Sequence, residues 1–145
     1  MLKSSIVEER KNNSNGVIVA HLNINRIQNK FEEPKLLNDS LKAHVLVISE
    51  TKIHRSYPNS QFSLPGYQMY RRDRKKVGGG LIAYSSTTIP FKILKLPNAY
   101  TTIEAIAVES SIGRREILFI AIYTGHLNSL ERALNQYIYK GWRTK

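Results

Sequence analysis

Along most of this chain the apolar residues fall in short β-rich runs, and only two stretches carry the wider spacing of a helix. After Gly16, Val17-Ile18-Val19-Ala20-His21-Leu22 is apolar and β-branched without alternation, the pattern of a strand buried on both faces. It stops at Asn23. Between Gln28 and Ala43, Phe31, Leu36, Leu37 and Leu41 stand among charges at the spacing of one helix face, with Pro34 tolerable only in the first turn. His44-Val45-Leu46-Val47-Ile48 is a second buried strand, so the unit reads strand, helix, strand with parallel pairing. A right-handed crossover then brings both strand carboxyl ends to one sheet edge.

The middle of the chain changes character. Tyr57-Pro58-Asn59-Ser60 and Leu64-Pro65-Gly66-Tyr67 are turn sequences, and Gln68-Met69-Tyr70 leads into the basic run Arg71 to Lys76, closed by Gly78-Gly79-Gly80. This stretch reads as a loop. Leu81–Ser85, Phe91–Leu96, Ile103–Glu109 and Glu116–Tyr123 are four β-rich segments joined by turn residues and read as an antiparallel meander. From Leu127 helical spacing returns at Leu130, Leu134, Tyr137 and Ile138, with Asn128 and Glu131 as a capping pair and Gly141 as a stop. Residues 1–15 are polar and aperiodic, the composition of a disordered terminal segment.

Length and charge narrow the partners. A chain of 145 residues, 41% hydrophobic, is the size of one ordinary domain, able to bury about 70% of its unfolded surface. Its 22 Lys and Arg against 11 Asp and Glu give a formal net charge of +11, which favours polyanions such as nucleic acid or acidic lipid. No run approaches the ~18 apolar residues of a membrane span, and the first 15 residues contain no apolar signal core. The expected location is intracellular, nuclear or cytoplasmic, with no membrane partner. The absence of cysteine agrees with a reducing compartment and leaves only oxygen or His as metal ligands.

Candidate chemistry sits where the first two apolar runs end. Leu22-Asn23-Ile24-Asn25 and Ile48-Ser49-Glu50-Thr51 put oxygen-bearing side chains at the edge of an open α/β sheet where sites are usually built. Each also has a plainer reading: Asn residues terminate strands by bonding their own backbone, and a carboxylate at a strand end is commonly solvated. The basic run can be a solvated loop or a set of phosphate contacts through Arg71, Arg72, Arg74, Lys75 and Lys76. The Gly triplet lacks the Gly-Lys-Ser/Thr ending of a P-loop and reads as a permissive turn. His21, His44 and His54 have no paired metal spacing and read as structural.

Taken together, Asn23 in Leu-Asn-Ile-Asn, Glu50 in Ser-Glu-Thr, Arg72-Asp73-Arg74 before the Gly triplet, and the strand end Ala121-Ile122-Tyr123 resemble the endonuclease/exonuclease/phosphatase superfamily. The likeness is to the apurinic/apyrimidinic-like endonuclease domain of LINE-type non-LTR retrotransposons, and it covers Val17 to Tyr123. It implies an α/β fold, part of a four-layer sandwich of two β-sheets flanked by helices, over residues 16–123, with residues 124–145 as a divergent helix and tail. It also implies Mg²⁺-dependent cleavage of a DNA phosphodiester. By similarity Glu50 is the metal carboxylate, Asn25 stands where many members have a second metal ligand, Asn23 orients the phosphate or water, and Tyr123 contacts the phosphate.

Departures from that pattern shape the expected function. Tyr123 is followed by Thr124-Gly125-His126, and neither the Gly-Asp-x-Asn nor the Ser-Asp-His motif of the family occurs in these 145 residues. The expectation is a partial endonuclease domain, inactive as this chain. The alternatives are a non-catalytic, basic nucleic-acid-binding remnant and an active endonuclease with His126 replacing the missing base. A signalling phosphatase fits the Arg-Asp-Arg and Gly pattern less well. Non-specific DNA contact through phosphates is the expected partnership, with self-association through an unpaired sheet edge as a second expectation.

Overall fold

The computed structural model describes residues 17–73, 79–94, 104–112 and 114–123. The first sheet contains β1 (Val19–Asn23), β2 (Val45–Ser49), β3 (Tyr67–Arg72) and β4 (Leu81–Ser86), in the spatial order β1-β2-β4-β3. The second contains β5 (Phe91–Leu94), β6 (Glu104–Ile112) and β7 (Arg115–Tyr123) as an antiparallel meander. A helix, α1 (Glu32–Leu41), joins β1 to β2, which pair in parallel with Val19 opposite Val45 and Asn23 opposite Ser49. β4 lies antiparallel between β2 and β3, so the first sheet is mixed.

Three expectations change. The run before Asn23 is not buried on both faces: β1 is an edge strand in which Val19, His21 and Asn23 are exposed and Ala20 and Leu22 are half-buried. Among the described residues it has a neighbouring strand on one side only. The segment Tyr67–Arg72, read as turn and loop, is a strand, because Tyr67, Met69 and Tyr70 find packing partners on the two faces of the sheet. Leu81–Ser86 therefore leaves the meander, since it is the centre of the first sheet and is buried along its whole length.

Helix α1 is shorter than its apolar spacing predicts, and its buried face is different. Pro34 and Asn38 are buried whereas Leu36 is 56% exposed. Glu32 and Glu33 in the first turn suit the positive helix end, and Pro34 there lacks only an N–H that has no partner to lose. At the other end Lys42 turns left-handed (φ 49°), and its N–H donates to Asn38 O at 2.6 Å. The Asn38 side chain accepts the Ala43 N–H at 3.1 Å, which explains a buried amide at a position that the hydrophobic pattern skips.

The two faces of the first sheet bury unequal cores. One packs Leu46, Ile48, Ile82 and Tyr84 against Ile24, Ile27, Ile53, Phe62 and Leu64, with Phe31 and Leu41 of the helix segment closing the edge. The other meets the second sheet through Leu81, Ala83, Ile106 and Val108. Between the sheets an apolar cleft of about 220 Å³ is bordered by Val19, Val47, Leu118 and Ala121. Among the described residues no helix covers the outer face of the second sheet, and no helix is long and apolar enough to cross a membrane.

Tyr84 gives a direct probe of the larger core. Its ring is fully buried, its hydroxyl donates to Phe62 O at 2.6 Å, and burial pushes its phenol well above the ordinary value, with the Arg71 charge opposing in part. Tyr84→Phe leaves that carbonyl without its donor and is expected to cost about 1–2 kcal/mol. A urea midpoint shift at unchanged slope is the readout.

Candidate functional site

The parallel register of β1 and β2 makes their carboxyl ends coincide, and the ladder continues past both strands. Ile24 N–H donates to Ser49 O (3.1 Å), Arg26 N–H to Glu50 O (2.8 Å) and Ile27 N–H to Thr51 O (3.0 Å). Asn25 is looped out between these bonds, with φ 47°, and Arg26 follows at φ 84°. The Asn25 N–H donates to Asn23 Oδ1 at 3.2 Å, so Asn23 uses its side-chain oxygen to turn the chain. Both amide side chains stay at the exposed surface.

Strand β2 ends in a tighter device. Glu50 (φ 54°) and Lys52 (φ 53°) are both left-handed and bracket Thr51, which is fully buried. Such backbone costs of order 1–3 kcal/mol per non-glycine residue and tends to collect at functional sites. Here two such residues, Asn25 and Glu50, fall in the two runs that the sequence singles out, and Arg26 and Lys52 lie just after them. The Gly pair before β4 holds the second run: Thr51 N–H donates to Gly80 O (3.3 Å) and Lys52 N–H to Gly79 O (2.8 Å). Thr51 Oγ1 has no hydrogen-bond partner among the described residues.

The second sheet reaches the same end of the sandwich. Glu104, the first residue of β6, lies opposite Tyr123, the last of β7, and is buried with its Oε2 accepting the Gly80 N–H at 2.5 Å. The strand end that carries Tyr123 is thus linked through Glu104 and Gly80 to the turn that carries Glu50. Sequence reasoning missed Glu104. The signal was present, since in Glu104-Ala-Ile106-Ala-Val108 the carboxylate is in phase with the inward apolar residues.

Cations surround the Asn25 turn. Lys52 Nζ donates to Asn25 Oδ1, and Lys30 Nζ donates to the carbonyls of Asn25 (3.1 Å) and Ile24 (3.4 Å). These contacts bear on Mg²⁺, which is held by one or two carboxylates with water and phosphate oxygens. Glu50 fits that pattern as a single carboxylate. Asn25 does not, because its oxygen faces an ammonium group. No group of three His, Cys, Asp or Glu that could hold a metal ion gathers among the described residues.

The basic run divides. Arg71 spends all five N–H donors inside the protein, on Asp73 (2.6 and 3.2 Å), Tyr57 O (2.6 Å), His54 O (3.0 Å) and Asn59 Oδ1 (3.0 Å). It clasps the 54–59 loop to β3 rather than facing solvent. Arg72 is exposed at the end of β3, opposite Leu81. Arg74, Lys75, Lys76 and His126 lie outside the described residues, as do the expected terminal segments 1–15 and 124–145. The three described histidines each have a local bond: His21 to Ser49 Oγ (2.8 Å), His44 to the Ile18 N–H (2.9 Å) and His54 to Ser56 Oγ (2.7 Å).

No family model and no curated protein matches this sequence. Solved structures do match by shape. A 3′ phosphatase, NExo, from Neisseria bound to a product DNA hairpin superposes with a TM-score of 0.57 at 14% identity, covering 86% of this chain and 52% of that one. An AP endonuclease from Archaeoglobus fulgidus gives 0.53 at 17% identity over 88% and 52% of the two chains. The 3′-5′ exonuclease NExo from Neisseria meningitidis gives 0.55 at 14% identity over 86% and 51%. The chain therefore spans about half the length of these structures, and over that half it has the fold of exonucleases and AP endonucleases.

Proposed function

We propose that this chain derives from a LINE-type endonuclease domain and binds DNA through phosphates at the paired strand ends without cutting it. The observation that carries the reading is the meeting of Asn23, the strained Glu50 turn and the Tyr123 strand end at one end of a sandwich shaped like DNA-processing nucleases. In such chemistry, charge on the phosphoryl oxygens must be neutralised and a nucleophile held in line. Glu50 would hold Mg²⁺, which would neutralise phosphate charge when bound. Asn23 would orient a phosphate oxygen, and Tyr123 would contact the phosphate.

Neither the Ser-Asp-His motif, whose His is the family's general base, nor the Gly-Asp-x-Asn motif, which helps hold water and phosphate, occurs in these 145 residues, and loss of members of a catalytic set leaves the residual rate contribution of binding and electrostatics. The exposed cations Arg26, Lys30, Lys52, Arg55 and Arg72 support phosphate contact by themselves. The test is nicking of supercoiled plasmid with and without Mg²⁺, beside Glu50→Gln. Equal, background-level nicking by two folded proteins is expected. Mg²⁺-dependent nicking that disappears in Glu50→Gln would overturn the inactive reading in favour of an endonuclease with a substituted base.

A further inference from the structure

We propose that Glu104 is a positioning residue for the Glu50 turn, holding it from the opposite sheet through the Gly79–Gly80 backbone. The chain of contacts is continuous. Glu104 Oε2 accepts the Gly80 N–H at 2.5 Å, Gly80 O accepts the Thr51 N–H at 3.3 Å, and Gly79 O accepts the Lys52 N–H at 2.8 Å. Thr51 and Lys52 are the two residues that follow Glu50, which with Lys52 adopts the left-handed conformation.

Three features argue that the carboxylate has this task. Glu104 is 7% exposed, in phase with the inward Ile106 and Val108, and a carboxylate there is costly unless it accepts strong hydrogen bonds. Its partner is the backbone N–H of Gly80, a buried glycine at φ 97° whose own carbonyl accepts the Thr51 N–H. Its own register partner is Tyr123, so one side chain fixes the relative placement of the two strand ends that sequence analysis assigned to the site. Among the described residues the buried inter-sheet cluster is Leu81, Ala83, Ile106 and Val108, and the Glu104 bond adds a directional polar contact beside it.

What Glu50 does there rests on the proposed function; that Glu104 holds its turn does not. The experiment is residue-resolved amide hydrogen exchange on the full chain, comparing wild type with Glu104→Gln and Glu104→Met, and it needs neither DNA nor metal. Expected is a graded loss of protection confined to Gly80, Thr51 and Lys52: a few-fold for the weaker neutral acceptor in Glu104→Gln, and at least tenfold for Glu104→Met. Leu46 to Ile48 in β2 should keep wild-type protection. Unchanged exchange at Thr51 and Lys52, or loss spread evenly over β2 and β4, overturns the proposal. If Glu104→Met does not fold, the local or uniform pattern in Glu104→Gln decides. A chain that proves unable to bind DNA still reports on this point.

Discussion

Gly80→Ala is expected to destabilise the chain by about 3 kcal/mol or more, well above the same change at Gly66. Two costs combine. At φ 97° an alanine is strained, and its Cβ would lie 2.3 Å from Thr51 Oγ1, 3.5 Å from Lys52 N and 3.6 Å from Thr51 Cβ. Thr51 is fully buried and cannot swing aside. Gly66 provides the control, since it has φ 79° but nothing within 4 Å of an added Cβ. Gly66→Ala should therefore show strain alone, about 1 kcal/mol. Thr51→Ala removes the hydroxyl that clashes and should recover part of the Gly80→Ala loss without recovering the backbone strain. Urea midpoints of the two glycine variants and the Gly80→Ala/Thr51→Ala double variant check all three statements.

DNA affinity is expected to fall by roughly 10²-fold between 50 and 200 mM salt. Four or so neutralised phosphates, each releasing counterions, give a logarithmic slope near −4 and hence a loss of about that size over a fourfold change in salt. Lys52→Met should reduce the slope by about one, as expected for an exposed ammonium at the strand ends. Arg71→Met should leave the slope alone and lower stability instead, because its donors are spent on Asp73 and on the 54–59 loop. Fluorescence anisotropy with a labelled duplex at several salt concentrations measures both. A slope near zero, or a slope moved by Arg71 rather than Lys52, would count against phosphate contact at this edge.

Much of the first sheet was legible because hydrophobic period and connection rules act locally. The parallel pairing of β1 and β2 follows from two apolar runs with a helix between them, and it alone sets Asn23 beside Ser49. The same reasoning misplaced β4, since Leu81–Ser86 has the same pattern whether it pairs with a following strand or inserts between β2 and β3. It also placed Tyr67–Arg72 in a loop, because a strand ending in two arginines reads as solvated unless the Asp73 and loop carbonyls that neutralise Arg71 are known. At the site, strand-end polarity revealed Asn23 and Glu50. For Glu104 the in-phase carboxylate was visible, but its partner was not, because that partner is the N–H of a glycine 24 residues away in the turn before β4.

The unequal cores have a consequence for how the molecule opens. The helix-side cluster joins ten buried residues with two aromatic rings among them, whereas the inter-sheet cluster joins four small or aliphatic ones beside an open cleft. Apolar burial contributes to the free energy of sub-global opening, so from the described residues the β5-β6-β7 meander is expected to separate from the first sheet before that sheet unravels. Such a separation would carry the Tyr123 strand end away from the Glu50 turn while leaving that turn attached to β2. On that expectation the two halves of the candidate site would differ in local stability, and the Tyr123 strand end would meet the Glu50 turn only while the meander stays docked.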